Sequence, residues 1–554
     1  MSSHTLRRII VWLGYTASFA PLILFRNFYF PFIVPKTVFF RTVVELMFVL
    51  WVVLALKYPQ YRPRLHSKVT WGFGAFLFFV LISAVAGLDP RMSFWGDFER
   101  MWGFLTLAHF FAFFLVLSTT YDTKDWLRLF QVNLAVGSLV ALYGIAQRLN
   151  FPFVEQPGLD RIIATLGNAS YVGAYMILMG ASALYLFVVR PVTERWWYAL
   201  AGLLAATALV LSVTRGAYLG ALTGVGLLLA AVTYLAKDGR VRRWLFVLTA
   251  GAVVAALLLI LFRTGPVIQG NRYLRRLTEF DLSSNTAQTR FIGWRAALNG
   301  FYERPLFGWG EENYIVAFNK SFTARFYSLA PTETYFDRAH NQFLDTLVSE
   351  GIFGFLSYVS IYIFTILGAV GLWRRSALDS ATFLLLVITP VAYAVQDFFV
   401  FDTLGPFMLL LILFGFGEHI LRKSAAGAVP VSEQDPERKR KSAPSRSVAV
   451  TPQHAVVRPK KEERLMTMMI KRMLGNGRLF TYQARYKTDD LFAPHDIRAL
   501  KTSRKFSSDS PTLRYNNRHT PCVASAIFYR SLSCAKNGYE IAPGPLFRPL
   551  PHRP

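Results

Sequence analysis

The chain has 554 residues, of which 53% are hydrophobic and only 17% are charged, with a formal net charge of +27. Long segments contain no charged residue, as in residues 196–213 and 244–262. Because such segments are long enough to cross a bilayer as helices, the composition excludes a soluble multidomain protein. It predicts an all-α, polytopic helical membrane protein.

The apolar segments predict about twelve transmembrane helices and one large polar insert. The predicted spans are residues 9–25, 37–56, 69–88, 101–118, 127–146, 168–188, 196–213, 217–236, 244–262, 348–372, 381–400 and 403–420. Basic connectors such as residues 57–68 and 237–243 alternate with connectors that carry fewer basic residues. Since basic short loops mark the cytoplasm, both termini are expected inside and the insert, residues 264–347, outside. The first apolar segment lacks a small-residue cleavage site and is expected to be a helix rather than a signal peptide.

The chain divides into a membrane domain, residues 1–421, and a basic tail, residues 422–554. More than half of the net charge lies in the tail, which is rich in Ser and Pro and has no apolar periodicity. The tail is expected to be a disordered cytoplasmic segment attracted to anionic membrane lipids. A non-native extension after Leu465 is the alternative, and nucleic acid is not an expected partner. The two cysteines, Cys522 and Cys534, both lie in the tail, which leaves no disulfide framework.

Ionisable groups near the predicted spans mark a candidate site, because charges in lipid are costly. Arg41 and Glu45 lie four residues apart on one helix face, which favours a mutually neutralising pair. Arg215 falls at the short turn between two spans and is either a snorkelling arginine or, as we favour, an anion-binding group facing the bundle. Arg161 precedes Asn168, a good N-cap for the sixth span, and a helix N-terminus favours anions.

The insert contains two predicted helices. Residues 286–302 have helical apolar spacing, with Arg290 and Trp294 on one face. A turn with a proline and two glycines follows at residues 305–310. A second helix is predicted from Ala339 to about Ser349, leading through a glycine into the tenth span.

Among the nine histidines, His340 alone is placed in the outer polar region. His109 lies within the fourth predicted span, and the other seven are placed in the cytoplasm. A structural and a catalytic role are both open for His340, and the arginines around it favour catalysis. Asp97 and Glu99 could hold a divalent ion, but Arg100 beside them favours a charge-balanced turn. The sequence contains no metalloprotease, P-loop or nucleophile-elbow motif.

Four elements in this order resemble the O-antigen ligase superfamily of ligases, polymerases and protein O-oligosaccharyltransferases. The elements are Arg161 with GNAS, the TRG turn at Arg215, R-x-x-x-W-x-x-A from Arg290 with PLFGWG from Pro305, and HNQFL with SEGIFG from His340 to Gly354. The resemblance covers residues 1–421, and a large outer loop between the ninth and tenth spans is also the ligase arrangement.

The resemblance implies a glycan transferase that moves a glycan from an undecaprenyl-pyrophosphate donor to a lipid or protein acceptor hydroxyl. The reaction is expected at the periplasmic face of the bacterial inner membrane, without a metal or other cofactor. Arg161, Arg215 and Arg290 would bind the donor pyrophosphate, and His340, with an ordinary pKa near 6.5, would align or deprotonate the acceptor. Supporting roles are expected for Asn168, Trp294 and Asn341. Outside the enzyme class, a transporter or flippase is the alternative.

Overall fold

The computed structural model describes residues 2–63, 67–155, 161–278, 283–331 and 336–425. All regular elements in these ranges are helices, which confirms the predicted all-α membrane class. The predicted tail lies, apart from residues 422–425, outside the described residues. In chain order the helices are α1 (Ser3–Ala17), α2 (Val34–Lys57), α3 (Lys68–Ala86), α4 (Pro90–Trp95), α5 (Phe104–Thr120), α6 (Thr123–Arg148), α7 (Ala169–Val189), α8 (Arg195–Leu211), α9 (Arg215–Leu235), α10 (Gly239–Leu261), α11 (Pro266–Gly270), α12 (Arg272–Thr278), α13 (Asn285–Glu303), α14 (Tyr314–Lys320), α15 (Ala324–Leu329), α16 (Gln342–Arg374), α17 (Ser380–Asp397) and α18 (Leu404–Ala425).

Nine of the described helices are long and apolar enough to cross a membrane, namely α2, α3, α6, α7, α9, α10, α16, α17 and α18. Three further helices, α1, α5 and α8, coincide with predicted spans but have 15, 17 and 17 residues. A full crossing needs about 20 residues, so the number of twelve spans stays a prediction.

The first helix begins and ends earlier than the predicted span, residues 9–25. It starts at Ser3, where Ser2 caps it, and it ends at Ala17. Pro21 explains the early end, because proline has no amide hydrogen and its ring clashes with the carbonyl four residues before it. The chain then forms a short 3-10 turn at Ala20–Leu22.

The bundle has a buried centre and an exposed edge. α18 is the central helix, since every residue from Leu404 to Glu418 is buried. By contrast, α10 has only two buried residues, Val241 and Leu245. Its exposed side chains include Trp244, Phe246 and Leu257, which are apolar and suit contact with lipid.

The insert between α10 and α16 has a hydrophobic core of its own. Tyr314, Phe318, Phe326 and Phe336 pack together in it, on the small residues of α13. The predicted helix of residues 286–302 is confirmed as α13. This second core gives the insert a fixed shape above the bundle rather than a loose loop.

The second predicted helix of the insert is present as the first two turns of α16, but it begins at Gln342 rather than Ala339, because Asn341 is its N-cap. Helix α16 has 33 residues, about 50 Å at 1.5 Å per residue, which exceeds the apolar thickness of about 30 Å. Gly351 breaks it with φ 69° and ψ −169°, so residues 342–350 belong to the insert. The break therefore separates the outer part of α16 from its membrane part.

The PLFGWG segment docks on this break through backbone hydrogen bonds. The amide of Trp309 donates to the carbonyl of Val348 (3.0 Å), and that of Gly310 donates to Ser349 (2.9 Å). On the other side, the amide of Ile352 donates to the carbonyl of Pro305 (2.8 Å). Two motifs about 40 residues apart in the sequence thus form one structural unit that positions the start of α16.

Candidate functional site

His340 lies immediately before the N-cap of α16, with its backbone at φ 53°. Its ring stacks on Phe336, with centroids 4.5 Å apart, and meets the edge of Phe401 at 5.6 Å. Nδ1 lies 3.1 Å from the carbonyl oxygen of Arg338, and a carbonyl accepts only, so Nδ1 carries the proton. The neutral ring therefore offers Nε2 as a proton acceptor.

The electrostatic setting of His340 differs from the sequence prediction. Burial lowers the pKa of His340 to about 4, and the positive charge of Arg290 acts in the same direction. The expectation of an ordinary pKa near 6.5 is therefore wrong, because it ignored the aromatic walls around the ring. At neutral pH the imidazole is uncharged.

Arg161 is held against the turn between α8 and α9. Its Nε donates to the carbonyl of Ser212 (3.1 Å), and its Nη2 donates to the hydroxyl of Thr214 (3.0 Å). Thr214 is the N-cap of α9 and Arg215 is its first residue. The structure thus brings Arg161 and Arg215 together at one helix N-terminus, where anions are favoured.

Two further arginines of the insert lie at this turn. Tyr218, one turn into α9, interacts electrostatically with Arg161, Arg272 and Arg276. We call Arg161, Arg215, Arg272 and Arg276 the arginine cluster. Arg272 and Arg276 were not among the predicted site residues, although the basic run NRYLRR near the start of the insert was a visible signal.

Arg290 belongs to a second group, beside the histidine. Its charge acts on His340, and the charges of Asp337 and Arg100 act on the same ring. We call His340, Arg290, Arg100 and Asp337 the histidine cluster. Arg290 is therefore placed with the proposed base rather than at the α8–α9 turn.

Arg100 does more than balance its acidic neighbours. It lies 3.4 Å from Glu99, as predicted for a charge-balanced turn, but its Nε also donates to Asp337 across the fold (2.7 Å). Its Nη1 donates to the hydroxyl of Tyr171 in α7 (2.9 Å). Although burial opposes the charge of Arg100, Tyr171 and Asp337 raise its pKa, so it stays a cation. Asp97 meanwhile accepts from the Arg100 amide.

Two short connections join the arginine cluster to the histidine cluster. The first connection is the loop between α17 and α18. Phe399 in this loop lies against Gly216 of α9, since a Cβ atom added to Gly216 would lie 2.8 Å from Cβ of Phe399. Phe401, two residues later in the loop, contacts His340. The second connection is the start of α7. The carbonyl of Ala169 accepts from the hydroxyl of Thr214 beside the arginine cluster (3.2 Å), and the hydroxyl of Tyr171 accepts from Arg100 of the histidine cluster. Because two residues span at most about 7 Å, these two connections hold the two clusters close to each other.

The three residues predicted to support the site have local structural roles. The Asn341 side chain caps α16 by accepting from the amides of Phe343 (3.0 Å) and Leu344 (3.2 Å). Asn168 caps α7 by accepting from Ser170 (2.8 Å), as predicted, and remains exposed. Trp294 is half-buried and packs edge-on against Phe291.

Arg338, which the sequence analysis missed, is the buried centre of a charged network. Its guanidinium contacts Glu311 (2.6 Å), Glu312 (3.0 Å) and Asp345 (2.9 Å). Asp345 also accepts from the amide of Ala339 (3.0 Å), which fixes the backbone just before His340. The run FDRAHN around the histidine was the available signal, but the partners come from distant segments.

Arg41 and Glu45, predicted to neutralise each other, interact through their charges but make no direct contact, because each side chain has another partner. Arg41 donates from Nη2 to the carbonyl of Met101 (3.0 Å), and Glu45 contacts Nε2 of His109 (2.9 Å). His109, on α5, is closer to Glu45 than the same-helix arginine.

Comparisons with known proteins give one family match and one relative. Residues 200–359 match the family model described as O-antigen ligase. A protein of Haemophilus influenzae (strain ATCC 51907 / DSM 11121 / KW20 / Rd), named only as an uncharacterized protein, is 26% identical over 215 residues. The alignment covers 37% of this chain and 51% of the relative, so the chain spans about half the length of that relative.

The matched segment contains Arg215, Arg290, His340 and both motifs that pair at Gly351. It includes α9 and the whole insert, which are the parts that carry most of the two clusters. This match supports the resemblance to the O-antigen ligase superfamily that the sequence motifs indicated.

Proposed function

We propose that this protein is a glycan transferase that moves a glycan from an undecaprenyl-pyrophosphate donor to an acceptor hydroxyl. The acceptor is a lipid or a protein at the periplasmic face of the bacterial inner membrane, and both chain termini are cytoplasmic. The supporting observation is the junction of the arginine cluster with the histidine cluster through Phe399 and Phe401. Such a transfer requires a group that binds the pyrophosphate close to a group that accepts the proton of the acceptor hydroxyl.

The donor half of the reaction is assigned to the arginine cluster. A guanidinium matches two phosphate oxygens at once and stays charged at any working pH. Arg161 is held by its bonds to Ser212 and Thr214, so it is oriented before the donor arrives. As the glycosidic bond breaks, the pyrophosphate gains negative charge, and fixed arginines stabilise that charge.

The acceptor half is assigned to His340. Nε2 accepts the hydroxyl proton while the acceptor oxygen attacks the anomeric carbon, and the electron pair of the broken bond leaves on the pyrophosphate. A base with a pKa of about 4 suffices because the leaving group is weakly basic and bond breaking runs ahead of proton transfer. One displacement inverts the anomeric configuration.

The test is transfer by the purified full chain in detergent micelles. The donor is an undecaprenyl-pyrophosphate oligosaccharide, and the acceptors are a core-oligosaccharide lipid and a Ser-rich peptide. Mass spectrometry should detect one glycosylated acceptor together with released undecaprenyl pyrophosphate. Micelles have no compartments, so a transporter or flippase would give no covalent product. Absence of product with every acceptor, from folded protein, would reject the proposal.

A further inference from the structure

A small cavity lies beside the histidine cluster and is lined by cations from three segments of the chain. Lys36 at the start of α2, Arg100 and Arg338 line it, together with Tyr171, Phe401 and Asp402. Its empty space is about 490 Å³, including its open mouth. None of the roles proposed above uses this cavity.

Lys36 is the unexplained residue of this cavity. It is 3% exposed, and its ammonium donates to the carbonyl of Ile23 (2.6 Å). Within the described ranges no carboxylate lies within ion-pair distance of it, whereas Arg100 and Arg338 are matched by Asp337 and by Glu311, Glu312 and Asp345. A buried ammonium without an anion is costly, so the site favours an incoming anion.

The cavity is separated from the proposed base by a single ring. The guanidinium carbons of Arg100 and Arg338 lie 4.9 and 5.8 Å from the centroid of Phe401, and the His340 ring lies 5.6 Å from it. Each cation is therefore within about 11 Å of the imidazole. This upper limit is short enough for one acceptor glycan to reach both the cavity and His340.

We propose that this cavity binds a phosphate monoester carried by the acceptor glycan and thereby positions the reacting hydroxyl at His340. Among the described residues Lys36 has no carboxylate within ion-pair distance, and Arg100 and Arg338 offer further N–H donors in the same lining, which also includes Asp402. Donors from three segments of the chain suit a tetrahedral phosphate group. The acceptor assignment rests on the proposed function, whereas phosphate binding does not.

The first experiment measures binding without catalysis. Equilibrium dialysis of radiolabelled inorganic phosphate uses the full chain in nanodiscs, in an Arg161→Ala/Arg215→Ala background that weakens binding at the arginine cluster. Lys36→Met should weaken binding at least tenfold, and Lys36→Arg should retain it within about threefold. Lys320→Met, at an exposed lysine paired with Glu303, is the control. Binding unchanged by Lys36→Met would overturn the site.

The second experiment separates acceptor phosphate from free phosphate. The acceptor is a core-oligosaccharide lipid, used before and after alkaline phosphatase treatment. Lys36→Met should raise the KM for the untreated lipid at least tenfold, leave the KM for the donor unchanged, and have no effect with the treated lipid. Equal KM values of the wild type for both lipids would overturn the acceptor assignment. If the wild type transfers nothing, the proposed function fails, while dialysis still decides the phosphate site.

Discussion

Nδ1 of His340 donates to the carbonyl of Arg338, two residues earlier, across 3.1 Å. This bond spans a backbone at φ 53°, an uncommon conformation for a residue with a side chain. Arg338 is in turn fixed by three acidic side chains, so the orientation of the imidazole depends on a buried polar network. His340, as the proton acceptor, and the network around Arg338 therefore form one structural unit.

His340→Gln should lower transfer about 100-fold or more, because glutamine fills similar space but cannot take the acceptor proton. The readout is kcat for transfer in micelles, with the amount of folded protein measured by size-exclusion chromatography. His419→Gln is the matched control, since His419 lies 15 residues from the outer start of α18, about 22 Å along the helix. If the His340→Gln variant transferred the glycan at the rate of the control, His340 would not be the base.

The native state should lose stability as the pH falls from about 6.5 to about 4. The pKa of His340 is near 6.5 in the unfolded chain and about 4 in the folded protein, so the unfolded state binds more protons in this range. Burial sets this value together with the charges of Arg290, Asp337 and Arg100 and the hydrogen bond to the Arg338 carbonyl. Between pH 7 and pH 5 the loss should be about 2 kcal/mol. Thermal unfolding at the two pH values should show a larger decrease for the wild type than for His340→Gln.

Arg215→Ala should lower kcat/KM for the donor about 10- to 100-fold, because a charge-assisted contact to the pyrophosphate is lost. Arg215→Lys should recover only part of this, since an ammonium cannot match two phosphate oxygens. Arg26→Ala, which removes an exposed arginine paired with Glu155 (2.8 Å), is the control. Full activity of the Arg215→Ala variant would show that the donor pyrophosphate does not bind at the arginine cluster.

The sequence predicted those features of the site that depend on neighbours along the chain. Arg215 at a turn between apolar spans, Asn168 as a cap and α13 all follow from local patterns, and the structure has them. The contacts of Arg100 with Asp337 and of Arg338 with Glu311 depend on how the insert docks on the bundle, and spacing along the chain carries no signal for that. The burial that lowers the pKa of His340 could not be predicted from the sequence for the same reason.

Arg338→Met should destabilise the protein by about 3–5 kcal/mol, because it leaves several buried carboxylates without their cation. Glu312→Gln should cost little at neutral pH. Burial raises the pKa of Glu312 to about 8 despite Arg338, so the carboxyl is mostly protonated at pH 7 and glutamine resembles it. A thermal melt of both variants at pH 7 tests the contrast, and equal losses would contradict it.

The same carboxyl should make the wild type less stable in alkali. For a group whose pKa rises from 4.5 to about 8 on folding, the stabilisation is complete below pH 4.5 and is lost as the pH rises through 8. The wild type should therefore melt earlier at pH 9 than at pH 6, and Glu312→Gln should show a smaller difference. If the Glu312→Gln variant showed the same decrease in melting temperature as the wild type, another group would be responsible for the loss of stability in alkali.

Gly351→Ala should sharply lower the stability of the folded insert, and Gly371→Ala should not. At Gly351 an added Cβ would lie 2.4 Å from the carbonyl atoms of Leu306, and the backbone at φ 69° disfavours any side chain. At Gly371, in the regular part of the same helix, an added Cβ meets no atom within 4 Å, so alanine should be neutral or stabilise by about 0.4–1 kcal/mol. The measurement is the melting temperature in detergent, followed by size-exclusion chromatography. Because PLFGWG docks at this break and the first turns of α16 carry Asn341 and Asp345, Gly351→Ala should also lower transfer at temperatures where it remains folded. Equal melting temperatures for the two variants would mean that the helix break does not hold the site in place.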